Sequence, residues 1–155
     1  MNETPPTLYK WAGGIDALKK LTDCFYAKVA LDPLIGPVFK DMGPDHPDHV
    51  ARFIAEVFGG PTDYSDRIGS HARMMRHHLD RHLTEAMRRR WIGLIQDAAE
   101  EVGLANDPEF RSAFMAYLEW GTRIAVETSK GGATVEDGTP MPKWGWGEVG
   151  GPYQP

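Results

Sequence analysis

The sequence predicts an all-α fold, and three observations carry that reading. Apolar residues recur at intervals of three and four, no stretch alternates with the two-residue period of a strand, and Gly- and Pro-containing breaks cut the chain into helix-sized pieces. After the Gly13-Gly14 break, Leu18, Leu21, Phe25 and Val29 share one face of a long helix, which Asp32-Pro33 ends. Gly36-Pro37-Val38-Phe39 has room for a single helical turn. Gly43-Pro44-Asp45-His46-Pro47 is a corner, and Pro47 suits the opening turn of a helix carrying Val50, Phe53, Ile54, Val57 and Phe58. That helix stops at Gly59-Gly60-Pro61. Residues 62–70 read as a polar loop, and 71–82 are short of apolar residues but rich in His and Arg. Thr84 caps a longer helix with Met87, Trp91, Leu94, Ile95, Ala98 and Val102 on one face, closed by Gly103. Asp107-Pro108 opens the last helix, whose stripe runs Phe110, Phe114, Tyr117, Leu118, Gly121, Ile124 and Ala125. Beyond Lys130, Gly and Pro dominate, and Trp144, Trp146 and Tyr153 imply that this irregular tail leans on the rest. The expected division is a helical domain at 1–129 and an extension at 130–155.

With 155 residues, 41% of them hydrophobic, the chain has the size of one globular domain with a core able to hold a mid-sized ligand. A formal charge of −5 argues against a nucleic-acid binder. The single cysteine, Cys24, excludes a disulfide framework and a thiolate zinc cluster. No apolar run approaches the roughly 20 residues of a membrane helix, and the first ten residues do not read as a signal peptide. A cytoplasmic protein that engages neither membrane nor nucleic acid is expected.

Six histidines fall in two clusters, His46 with His49 and His71 with His77, His78 and His82. An ordinary surface or half-buried imidazole is the bland reading of each. His46 lies four residues before Val50, on the face of Phe53, Ile54 and Val57, where an imidazole needs a partner; Pro47 equally allows it to be only an N-cap. Tyr26 sits on the flank of its helix's apolar stripe, with a hydroxyl free to seek an acceptor, and Trp91 brings an indole N–H to the middle of another stripe. Plain core packing is the default reading of either ring. Arg73 and Arg76 lie beside the histidines and could meet an anionic ligand, whereas Arg88-Arg89-Arg90 read as a solvated face. Three functions compete on these residues: a heme protein with one His on iron, a hydrolase-type zinc site from His77, His78, Asp80 and His82, and a basic helical binding module. His78 and His82 have the i, i+4 spacing of a helical metal pair, but no Glu adjoins them in the metalloprotease order. The binding module is weakest, because aromatics do not interleave with the arginines.

Taken together, the motifs resemble a truncated globin, in particular its second group. The likeness spans about residues 9–129 and rests on Leu8-Tyr9 with Gly13-Gly14, Phe25-Tyr26-Ala27-Lys28-Val29, and Asp32-Pro33-Leu34. It continues through Val38-Phe39, Phe58-Gly59-Gly60-Pro61, Tyr64-Ser65, the run from His71-Ala72-Arg73 to Met75-Arg76-His77-His78, and Trp91. The resemblance implies a shortened globin fold, a two-over-two helical sandwich around heme b. The family's proximal iron ligand falls on His78, with His77 as the rival of a one-residue slip. Its distal tyrosine falls on Tyr26, its distal tryptophan on Trp91, the distal gate on His46, the apolar distal position on Val50 and the heme-packing aromatic on Phe39. Phe53, Arg73, Met75, Arg76 and Met87 are expected to complete the heme slot. Leu79-Asp80-Arg81 replaces the family's Pro-Phe pair after the ligand and changes the turn there.

On this resemblance the expected function is reversible binding of O2 or another diatomic gas, with Tyr26, Trp91 and His46 as hydrogen-bond donors that slow its release. Slow release suits storage, scavenging or redox chemistry, with peroxidase-like or nitric-oxide-consuming turnover as a side activity. Either Tyr26 or His46 could ligate the iron when no gas is present. An unidentified reductase and a monomeric or homodimeric state complete the expectation.

Overall fold

A computed structural model describes residues 4–147, so Tyr153 lies outside the described residues. Among these residues every regular element is helical. The short α1 (Leu8–Ala12) starts where Thr7 Oγ1 accepts from the Lys10 amide at 3.1 Å. It ends at Gly13, whose φ of +106° is left-handed and whose hydrogen stands where a Cβ would press on Ala17. The long α2 (Gly14–Leu31) buries Leu18, Leu21, Phe25 and Val29 as the spacing predicts. Asp32 caps its far end in two directions: Oδ1 accepts from the amides of Leu34 and Ile35, and Oδ2 meets Arg90 Nε at 2.5 Å. That buried carboxylate ties the end of α2 to α5 and is held below the usual carboxylate range chiefly by the Ile35 amide, with Arg90 adding to it.

A 3-10 turn (Gly36–Phe39) follows, then α3 (His46–Val57) with Pro47 in its first turn. His46 is the first helical residue and Asp45 occupies the cap position, so the N-cap alternative for His46 does not hold. Residues 62–70 are not simple loop. Tyr64–Ile68 wind as one wide π turn, closed by the Gly69 amide on the Tyr64 carbonyl at 2.9 Å. The six-residue α4 (His71–Arg76) is capped by Ser70, α5 (Glu85–Glu101) by Thr84 and α6 (Pro108–Thr128) by Asp107.

The helices form two packed pairs. α2 lies on α3, α5 lies on α6, and α2 crosses onto α5. The core runs through Leu18, Leu21, Phe25, Ile54, Phe58, Ile95, Phe110 and Phe114. One expectation fails in this frame. Arg88 is not on a solvated face but is 6% exposed. Glu85 takes its Nε and Nη2 at 2.8 and 2.6 Å, and Glu119 of α6 receives Nη1 at 3.2 Å, so two carboxylates offset the desolvation of one guanidinium. Arg89 remains exposed.

The residues after the last helix lie against the body. The Trp144 amide donates to the Val57 carbonyl at 2.9 Å, and the Trp146 indole donates to the Pro6 carbonyl at 2.7 Å. Trp144 also packs on Tyr117 and Trp120, and Trp146 on Trp11.

Candidate functional site

Three successive elements meet at one place. Tyr26 on α2, Phe39 in the 3-10 turn and His46 at the start of α3 form a triangle of edge-on rings with centroids 4.9, 5.7 and 6.1 Å apart. Phe25, the neighbour of Tyr26, passes the contact to α5: its ring lies 4.7 Å from Tyr26 and 4.8 Å from Trp91. Val50, one turn along α3 from His46, is half-buried against the core.

Tyr26 is 6% exposed, and its hydroxyl lies 3.0 Å from His46 Nε2. Burial raises the phenol's pKa, so Tyr26 keeps its proton and can donate one bond while accepting another. Burial also pushes the His46 imidazole from 6.5 down to about 4, helped by the neighbouring His77, His49, His78 and Arg81. Two arrangements of one proton are then open. With hydrogen on Nε2, His46 donates to the tyrosine oxygen and the phenolic O–H is free to point elsewhere. With hydrogen on Nδ1, the phenol donates to Nε2 and is spent.

The titration of His46 has a sign. Between pH 6.5 and about 4 the unfolded chain carries a proton that the folded chain refuses. Its share of stability is therefore whole above pH 6.5 and is lost as pH falls to about 4. We expect the urea midpoint to decline over that window, and His46→Gln to flatten the decline; an unchanged slope in the variant removes His46 from the account.

Beyond the end of α4 the chain turns tightly. His78 is mostly buried, and burial pushes its imidazole down to about 4, against a partial rescue by the carbonyls of Met75 and Met74. Those carbonyls face the ring, yet Nδ1 reaches no hydrogen-bond partner among the described residues. A neutral imidazole with Nδ1 turned to its own turn and Nε2 left as a base is the chemistry of a metal-ligating histidine. His77, by contrast, is exposed, and its neighbours are Arg73, Arg81 and His49.

The zinc alternative does not survive this geometry. α4 ends at Arg76, and Asp80 and His82 both take left-handed backbone, at φ of +57° and +51°, so His78 and His82 share no helical face. Among the described residues no group of three His, Cys, Asp or Glu is placed to hold a metal.

Several expected slot residues point elsewhere. Phe53 packs on Tyr64 and His71. Arg73 donates to the Ile68 carbonyl, and Arg76 pairs with Asp137. Met75 and Met87 are half-buried. Two residues near the site, Arg81 and His49, were not singled out from the sequence as lining it. Arg81 links its two walls, donating through Nε to the His77 carbonyl at 2.6 Å and through Nη1 to the Val38 carbonyl at 3.1 Å. His49 and His77, the latter the rival ligand of the sequence reading, stand beside His46. The i, i+3 relation of His46 and His49 is the one sequence signal that could have included His49.

An open cavity of about 690 Å³, within the size range of ligand clefts, lies beside this cluster. Tyr26 and Phe39 form part of its wall with Val29, Pro33, Pro37 and Met42. Neither His46, His78 nor Trp91 lines it.

Residues 7–122 match the profile of the bacterial-like globin family. The chain is similar to a group 2 truncated hemoglobin of Bacillus subtilis, with 29% identity over 117 residues that cover 76% of this chain and 86% of that protein. Among solved structures, the group II truncated hemoglobin of Bacillus anthracis superposes with a TM-score of 0.72 at 23% identity, over 88% of this chain and 98% of that one. A truncated oxygen-avid hemoglobin from Bacillus subtilis gives 0.69 at 28% identity, over 78% and 99%.

Proposed function

Since the chain belongs to the bacterial-like globin family, whose two-over-two helical fold it shares, and is a heme-based oxygen-binding protein, we propose that His78 holds the iron of heme b and that Tyr26, Trp91 and His46 face the gas. The observation that carries this reading is the mostly buried, neutral His78, its buried Nδ1 turned to the Met74 and Met75 carbonyls, near a partly buried Tyr26–His46 hydrogen bond. Heme b supplies an iron with one coordination position left for a diatomic gas.

The protein's own contribution divides into two sides. On the proximal side, the turn after α4 orients the His78 ring, and burial keeps it unprotonated and able to coordinate. On the distal side, Tyr26 donates its phenolic proton while His46 Nε2–H donates to the phenol oxygen, which sharpens the phenol as a donor. The indole of Trp91 is placed by its ring contact with Phe25, and none of the described hydrogen bonds engages its N–H, so that N–H is available as a second donor. Phe39 and Val50 supply apolar surface that limits water. Two donors facing the gas favour slow release, hence storage, scavenging or redox chemistry over delivery, with peroxidase-like or nitric-oxide-consuming turnover as a side activity.

No helix among the described residues is long and apolar enough to cross a membrane. A cytoplasmic location, a partner reductase that keeps iron ferrous and a monomeric or homodimeric state belong to the same proposal, as does the division into a heme-binding body at 1–129 and an extension at 130–155. Either Tyr26 or His46 would take the sixth iron position when gas is absent.

Purified protein titrated with hemin tests the reading. We expect one heme per chain, a strong Soret band, and oxygen release from the reduced protein slow enough to follow by stopped flow. A saturable zinc site with no Soret band overturns it.

A further inference from the structure

The segment that carries His78 has little helix of its own. α4 is six residues long, and α6 is its main helical neighbour. Besides the bonds of Arg73 to Ile68 and of Arg81 to Val38, the chain that follows α6 holds residues 71–83 at three points. At the start of α4, His71 is 8% exposed, its ring stacked 6.4 Å from Trp120, which in turn packs 5.5 Å from Trp144, while the Pro140 carbonyl faces the imidazole. At the end of α4, Arg76 pairs with Asp137. Past the turn, the amides of His82 and Leu83 donate to the carbonyl and Oγ of the fully buried Ser129, at 3.0 and 2.9 Å. His78 lies between the second and third of these points. The far end of the tail is itself anchored, by the Trp144 amide on Val57 and the Trp146 indole on Pro6.

We propose that residues 129–146 form a strap that positions the proximal histidine, with Asp137 and Trp144 acting through Arg76 and Trp120 on the segment that holds His78. The proposal rests on the assignment of His78 to the iron. A six-residue helix flanked by turns has few internal bonds to resist rotation, so the direction of the His78 ring is set by what clamps both ends. The strap supplies one ion pair, one aromatic contact and two hydrogen bonds to Ser129, one to its carbonyl and one to its hydroxyl, for that purpose, and loss of any one lets the segment turn without unfolding the two helical pairs.

The test uses the full chain and the variants Asp137→Asn, Trp144→Ala and the double variant. Arg111→Ala serves as the control, since Arg111 holds the Leu104 and Ala105 carbonyls and Glu100 at the opposite junction of α5 and α6. In the heme-free chain, amides 71–83 should exchange faster in the double variant than in the parent or the control. In the reduced, heme-loaded protein, the iron–histidine stretching band should shift or broaden, and heme loss to an excess of a heme scavenger should speed up roughly fivefold to tenfold, the kinetic equivalent of one lost aromatic contact. Faster exchange with an unmoved band makes the strap merely structural and overturns the proposal. A band that moves equally in Arg111→Ala, at matched loss of thermal stability, overturns it as well. His78→Gly separates the two levels: if it keeps the parental iron–histidine band, the His78 assignment fails, whereas loss of the band there with no movement in the strap variants defeats the strap alone.

Discussion

His78→Gly is expected to lower heme affinity at least tenfold to a hundredfold, since changes merely behind a ligating histidine already have effects of that size. Free imidazole should restore binding by entering the space the side chain leaves. His77→Gly should leave the spectrum close to parental. The contrast follows from the environments of two adjacent residues of one type. His77 is exposed beside Arg73, Arg81 and His49, whereas His78 is mostly buried and faces carbonyls of its own turn. If His77→Gly loses heme and His78→Gly keeps it, the ligand sits one residue earlier. Heme-binding titrations with and without imidazole decide the matter.

Tyr26→Phe and Trp91→Phe are each expected to raise the oxygen dissociation rate by about tenfold to a hundredfold, because a hydrogen bond to a charged or strongly polarised acceptor contributes roughly 1.5–3 kcal/mol. Both substitutions keep the ring, so Trp91→Phe preserves packing on Phe25 and removes only the N–H. Tyr26→Phe also leaves His46 Nε2 without its 3.0 Å partner, so its effect should exceed that of Trp91→Phe. Stopped-flow displacement of oxygen by carbon monoxide measures both rates. Rates unchanged in both variants remove the distal donors from the account.

The long helices were legible because their faces are written in the spacing of large apolar residues. Leu18, Leu21, Phe25 and Val29 are all buried on α2, and Thr84 and Asp107 cap the helices they were read as capping. The segment 62–83 was not legible. Its six-residue helix and the turn through left-handed Asp80 and His82 are held by bonds to Ser129 and Asp137, more than forty residues away, which no local pattern announces. Arg88 was misread for a related reason. Glu119, its second carboxylate, lies on another helix, so three consecutive arginines looked alike although only one is buried. The site was legible in its types and only partly in its arrangement. Tyr26, Phe39 and His46 converge, whereas Phe53, Arg73 and Arg76 have partners outside the cluster.

The hydrogen bond between Tyr26 and His46 bears on which visitor the pocket prefers. Carbon monoxide gathers little negative charge and rewards a proton donor only weakly, so it gains less than oxygen from a phenol whose O–H is free. Moving one hydrogen from Nε2 to Nδ1 of His46 withdraws that advantage while leaving every heavy atom in place, and the ranking of the two gases becomes a property of a tautomer.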